Sequence, residues 1–223
     1  MKTVAFSDVH LPPVPGQSEE FVRFLHELGD RRVGRLVILG DLFDFWFEYR
    51  HVVFSGYFET LEAFAELRRQ GVELHLVCGN HDFWAGRFLK EHLGFQVHPE
   101  RLELELAGKR ALLLHGDGVN RRDLGYRVYK RIARARLTIA LFRLIHPDLA
   151  MEIARRVSRT SRRIVQARDP GKSLEAKALR EFAKGVLSRG EAEIVVCGHA
   201  HAPALEEYAF STGTGLYINT GDW

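Results

Sequence analysis

The chain has 223 residues, 46% of them hydrophobic and 27% charged, which suits one globular α/β domain with a substantial core. Two cysteines, Cys78 and Cys197, exclude a disulfide framework, and each precedes a glycine at the end of an apolar run, as a small core thiol in a reducing cytoplasm would. The net charge of +3 hides an asymmetry: residues 121–168 hold fourteen Arg and Lys against three acids, so a basic insert sits on an acidic body and calls for an anionic partner.

Thr3-Val4-Ala5-Phe6 predicts a short buried strand that delivers Ser7-Asp8-Val9-His10. A start that spends a carboxylate and an imidazole is not a signal peptide, and no apolar run approaches the ~20 residues of a membrane span. Asp8 and His10 are alternate residues, so an extended backbone points both the same way and both can grip one ion. A helix capped by Ser18 follows, with Phe21, Phe24, Leu25 and Leu28 at helical spacing. Arg35 to Leu39 is the second strand and ends in Gly40-Asp41, whose two carboxylate oxygens can bridge two ions. Phe43, Phe45, Trp46 and Phe47 beyond it read as wall and core. Tyr57 to Arg69 predicts a helix closed by Gly71.

Leu74 to Val77 drives into Cys78-Gly79-Asn80-His81-Asp82, a tight turn carrying an amide, an imidazole and a carboxylate. Trp84 to His92 reads as helical, and Leu102 to Leu106 alternates like a half-exposed strand. Ala111 to Leu114 then ends in His115-Gly116-Asp117. Residues 124–165 break the rhythm as a helical hairpin, with one apolar stripe of Leu137, Leu141, Phe142 and Ile145 and another of Leu149, Ile153 and Val157. Asp169-Pro170-Gly171 closes it, and a helix capped by Ser173 leads back. Glu193 to Cys197 is a strand ending in Gly198-His199-Ala200-His201, and Leu216 to Asn219 is another before Gly221-Asp222-Trp223. The organisation expected is one domain over residues 1–223 with a helical insert at about 121–168.

Asp8, His10, Asp41, Asn80, His115, His199 and His201 therefore leave five strand ends, where sheets of this class bind ligands. Seven donors are too many for one transition metal and fit two ions sharing Asp41. The absence of thiolates argues against a structural zinc site, and mixed imidazole and carboxylate suits Mn, Fe, Zn or Co rather than Ca. Two such ions clamp both oxygens of an in-line phosphoryl displacement. His81 is the catalytic candidate, placed to protonate a leaving oxygen or to stabilise transition-state charge. Asp82 either orients that imidazole or stabilises its turn.

The ordered blocks DVH, GDLFD, GNHD, HGD and GHAH resemble the calcineurin-like metallophosphoesterase superfamily over nearly the whole chain. The resemblance implies a four-layer α/β/β/α sandwich with a dinuclear site, commonly manganese. It implies one ion on Asp8, His10, Asp41 and His201 and the other on Asp41, Asn80, His115 and His199. Within the superfamily, GDLFDFW at 40–46, HGDGVNRRDLGYR at 115–127 with a basic helical hairpin, and the GDW at 221–223 are similar to the UDP-2,3-diacylglucosamine pyrophosphatases of lipid A synthesis. That similarity implies hydrolysis to UMP and a phosphorylated diacylglucosamine in the cytoplasm, with peripheral contact at the inner membrane and the insert as a lid for acyl chains. Asp123 and Tyr126 match substrate-contacting positions, and Arg162 and Arg163 are further phosphate partners. The chain departs from the best-known members in carrying His81 where they carry Arg, and in stopping at GDW where they continue with further strand. The competing expectation is a broader phosphodiesterase acting on nucleotides or nucleic acid, with the insert on a phosphate backbone and Tyr126, Tyr129 and Phe142 stacking bases.

Overall fold

The computed structural model describes residues 1–120, 122–154, 156–157, 173–211 and 213–223. Its elements run β1 (Thr3–Phe6), α1 (Glu19–Asp30), β2 (Arg35–Ile38), a 3-10 turn at Ser55–Tyr57, α2 (Phe58–Arg69), β3 (Glu73–Val77), α3 (Arg87–Leu93), β4 (Gln96–His98), β5 (Arg101–Leu106) and β6 (Lys109–Leu114). Then come α4 (Leu124–Ala133), α5 (Arg136–Phe142), a helix α6 described over 147–154 and at 156–157, α7 (Ser173–Ser188), β7 (Ile194–Cys197), β8 (Ala204–Phe210) and β9 (Gly213–Asn219).

The strands form two sheets, one of four parallel strands ordered β1-β2-β3-β4 and one of five ordered β5-β6-β7-β9-β8. In the second sheet β6, β7 and β9 run parallel, with antiparallel β5 and β8 at its edges. Strand alternation sorts the side chains into layers. Leu36 and Ile38 of β2 join Phe21 and Leu25 of α1 and Phe64 and Leu67 of α2 in one core. Val37 of the same strand points the other way, to Val77, Leu113 and Val196, in the seam between the sheets. Beyond the second sheet, Leu179, Ala183 and Val186 of α7 cover Val195, Cys197 and Tyr217. This is the expected α/β/β/α sandwich, with strands buried on both faces and correspondingly rich in Val, Ile and Leu.

Four local expectations change. Ser18 precedes α1, but its hydroxyl makes no cap hydrogen bond. The helix after the Asn80-His81 turn starts at Arg87, because Trp84 pairs with Phe47 in an isolated parallel bridge. Among the described residues the insert shows three helical segments, not a two-helix hairpin, since Ala135 is extended (φ −67°, ψ 137°) and divides α4 from α5. Finally, β4 and β8 are strands that apolar spacing does not announce. Asp169-Pro170-Gly171 lies outside the described residues. Among the described residues no helix is long and apolar enough to cross a membrane.

Candidate metal centre

The parallel strands of both sheets deliver their carboxyl ends to one edge, and the loops beyond them stay in register. Asp8 N–H donates to the Gly40 carbonyl at 3.1 Å and His10 N–H to the Asp41 carbonyl at 2.9 Å, so the first two loops continue the β1–β2 pairing. Glycine is required where these loops nearly touch. A Cβ on Gly79 would lie 2.2 Å from Asp41 Oδ1, and one on Gly198 would lie 2.2 Å from Ser7 Oγ and 2.6 Å from Asp8 Oδ2.

All seven donors read from the strand ends are brought together. Asp41 is central: its buried Oδ2 lies 3.8 Å from His10 Nε2, 3.5 Å from His115 Nε2 and 3.9 Å from His81 Nε2. On one side, Asp8 Oδ1 is 3.3 Å from His201 Nε2 and 3.9 Å from His10 Nε2. On the other, His115 Nε2 is 3.1 Å from Asn80 Oδ1 and 3.2 Å from His199 Nδ1. The far nitrogen of His115 donates to the Leu39 carbonyl at 2.7 Å, which aims Nε2 into the cluster.

The donor set fits cations. Asp8 Oδ1 is buried without a hydrogen-bond donor, an arrangement that costs free energy unless positive charge arrives. Burial alone would depress the pKa of His115, but Asp41, Asp8 and Asp117 outweigh it and raise the imidazole to about 9. Burial would likewise lift Asp41, yet the His115, His81 and His10 rings hold it below the usual carboxylate range. Asp8 goes up, through burial first and Asp41 among its other causes. Burial lowers His10 to about 3, so that ring offers neutral nitrogen. Three overlapping groups have ligand atoms within 4.8 Å of one another: Asp8, His10 and His201; Asp8, Asp41 and His115; and His10, Asp44 and His81.

Asp44 in the last group is a participant that sequence reading passes over, because it lies among aromatic wall residues. The only cue is a second carboxylate three residues after Asp41. Its carbonyl accepts from His81 Nδ1 at 2.6 Å, and its Oδ1 lies 3.8 Å from His10 Nδ1. It is therefore Asp44, not Asp82, that orients the His81 ring. Asp82 is fully buried and accepts from Gly79 N–H at 2.7 Å and Leu42 N–H at 2.9 Å, tying two site loops together. Burial and the nearby Asp41 charge raise it to about 6.

Asp123 and Tyr126, the substrate-contacting positions of the resemblance, bond within the protein. Asp123 Oδ1 caps α4 by accepting Tyr126 N–H at 2.9 Å. The Tyr126 hydroxyl donates to Asp117 Oδ2 at 2.7 Å, and Lys130 Nζ lies 2.8 Å from the same oxygen. Arg162 and Arg163 lie outside the described residues.

A family model described as calcineurin-like phosphoesterase matches residues 1–203. A UDP-2,3-diacylglucosamine hydrolase of Porphyromonas gingivalis is 35% identical over 201 residues, spanning 84% of this chain and 76% of the relative. A second enzyme of that name, from Aeromonas salmonicida, is 30% identical over 231 residues, spanning 100% of this chain and 86% of the relative. Among solved structures, Yfce, a phosphoesterase from E. coli, aligns at 17% identity and a TM-score of 0.45, covering 100% of this chain and 80% of that one, a likeness too loose to carry weight.

Proposed function

The chain belongs to the calcineurin-like phosphoesterase family, and on that premise we propose that it is a dinuclear metal-dependent pyrophosphatase cleaving UDP-2,3-diacylglucosamine to UMP and 2,3-diacylglucosamine 1-phosphate. In this reading Asp8, His10, Asp41 and His201 hold one divalent ion and Asp41, Asn80, His115 and His199 the other, with Mn2+ the assigned metal. The position of Asp41 Oδ2 among the rings of both groups supports its role as the shared ligand. Two ions, when bound, supply Lewis acidity and a water nucleophile near neutral pH.

The remaining steps fall to the chain's own side chains. His81 donates through Nδ1 to the Asp44 carbonyl, which turns Nε2 toward the cluster. Protonated at Nε2, it passes a proton to the departing phosphate oxygen as the phosphorus–oxygen bond breaks. Asp82 keeps the Gly79 and Leu42 loops in place around it.

The substrate assignment rests on one observation: the insert leaves apolar side chains uncovered beside basic ones. Leu137 is 70% exposed and Leu144 82%, and Leu124, Val128, Ile132, Leu141 and Leu149 are exposed as well. A nucleic-acid binder would close such residues into a seam and spread only its arginines outward. Acyl chains instead supply the missing contact, at about 0.8 kcal/mol per buried CH₂. The insert thus belongs to the same domain as the sandwich and acts as its acyl-binding lid, with Asp123 and Tyr126 as the head-group contacts of this reading and Arg162 and Arg163 as its further phosphate partners. The enzyme works in the cytoplasm, touching the inner membrane where its substrate resides. The test is hydrolysis of UDP-2,3-diacylglucosamine against UDP-glucosamine. The acylated substrate is expected to be favoured by at least about tenfold in kcat/KM. Equal values would remove the lipid assignment.

A further inference from the structure

Residues 219–223 form a strap between the two halves of the candidate centre. On the second-sheet side, Asn219 Nδ2 donates to the Gly198 carbonyl at 3.0 Å, and Thr220 N–H donates to the Cys197 carbonyl at 2.9 Å. On the first-sheet side, the Thr220 hydroxyl lies 2.7 Å from Ser7 Oγ, which also donates to Asp8 Oδ2 at 2.5 Å and lies 3.2 Å from the Gly221 carbonyl oxygen. Asn219 Oδ1 accepts Gly221 N–H at 3.0 Å, and Gly221 takes a φ of +75° that turns the chain back toward the site. Trp223 then docks beside Phe24, Phe21 and Phe6, with ring centroids 4.5, 5.2 and 5.9 Å away.

This route fixes where Asp222 falls. Its Oδ2 lies 3.5 Å from His201 Nδ1, while the other nitrogen of that ring faces Asp8 Oδ1 at 3.3 Å. A ring held by a carboxylate at Nδ1 has its proton there and its Nε2 lone pair free, the arrangement that metal-ligating histidines generally have. His201 also stacks on His10, with centroids 5.5 Å apart and planes 14° apart, so turning one ring disturbs the other.

We propose that Asp222 is a positioning residue that fixes the tautomer and direction of His201, with Trp223 and Thr220 as the fastening that holds it there. The inference rests on the reading of the cluster as a two-ion centre. Asp222 never touches substrate. It sets the affinity of the ion on the Asp8, His10 and His201 side and leaves the ion on the Asn80, His115 and His199 side alone.

Two measurements on the full chain test this. In ¹⁵N-histidine NMR of chelator-treated protein, His201 should report the Nδ1–H tautomer, and Asp222→Ala should shift it toward Nε2–H, with Asp222→Asn between them. In Mn2+ titration calorimetry, Asp222→Ala should weaken one of two binding events by about 10–100-fold, with the other event and the chelated melting temperature unchanged. An unaltered His201 tautomer overturns the proposal. So do two unchanged dissociation constants, or both weakening together with a fall in melting temperature. If the wild type binds fewer than two ions while the tautomer shifts as expected, the two-ion centre fails and the orienting role of Asp222 stands.

Discussion

Asp8, His10, Asp41, His199 and His201 all hold φ between 48° and 65°, a left-handed conformation that non-glycine residues avoid at a cost of order 1–3 kcal/mol each. Asp8 and His10 are therefore aimed by a left-handed turn beyond β1 and not by the extended backbone expected of them. Strain gathered on donors of one cluster fits a site whose backbone is set by the side-chain direction needed, with the flanking sheets holding it. The glycines opposite leave no slack. Gly198→Ala should therefore displace Ser7 and Asp8 and cut Mn2+ affinity at least tenfold, as measured by calorimetry. Asp41→Ala and Asn80→Ala are each expected to abolish hydrolysis of bis(p-nitrophenyl) phosphate with circular dichroism unchanged. His81→Ala should lower kcat by roughly 10²–10⁴, the range for a lost general acid, with metal content intact. A lost metal equivalent would reassign His81 as a ligand. At this scale the donors are legible because each leaves a strand end after an apolar run. Asp44 is not, since its role comes from a backbone carbonyl on His81 and a carboxylate near His10, contacts that only the folded loop creates. The left-handed backbone at His199 or His201 has no sequence cue either, as neither position is itself a glycine.

The insert is tied to the body at several named points. Trp84 Nε1 donates to the Ala133 carbonyl at 3.0 Å, and the Tyr49 hydroxyl to the Ile145 carbonyl at 3.0 Å. Phe142 packs beside Phe47, Trp84 and Phe45, at 4.8, 4.9 and 5.9 Å between centroids. These ties fasten the ends of α4 and α5 to the body, while Leu137, Leu141 and Leu144 stay exposed. Phe142→Ala should thus raise protease cleavage within 124–157 and raise KM for the acylated substrate severalfold. Turnover of bis(p-nitrophenyl) phosphate, which has no acyl chain, should stay within about twofold. An unchanged KM would separate the insert from substrate binding. The sandwich strands are readable as continuous apolar runs, but β4 is only three residues and β8 carries Glu206 and Glu207 on a sheet edge. The division of the insert at Ala135 also escapes apolar spacing, because Tyr126, Tyr129, Ile132 and Ala133 keep helical spacing straight on into Leu137 and Leu141.

Across the whole molecule, the candidate centre is where the two sheets meet at one edge: β1, β2 and β3 bring Asp8, Asp41 and Asn80, and β6 and β7 bring His115 and His199. Ion binding should consequently tie the sheets together, and Mn2+ at 100 times its dissociation constant should stabilise the fold by about 2.7 kcal/mol per site. Differential scanning calorimetry with and without chelator measures that, and an unshifted melting temperature would contradict it. The most direct test of the central claim is a titration of Mn2+ into chelator-treated protein while hydrolysis of UDP-2,3-diacylglucosamine is followed by phosphorus NMR. The account predicts no turnover without metal, full turnover only when two equivalents are bound, and UMP with a lipid phosphate as the sole products. Turnover in stripped protein, or saturation at one equivalent, would contradict it.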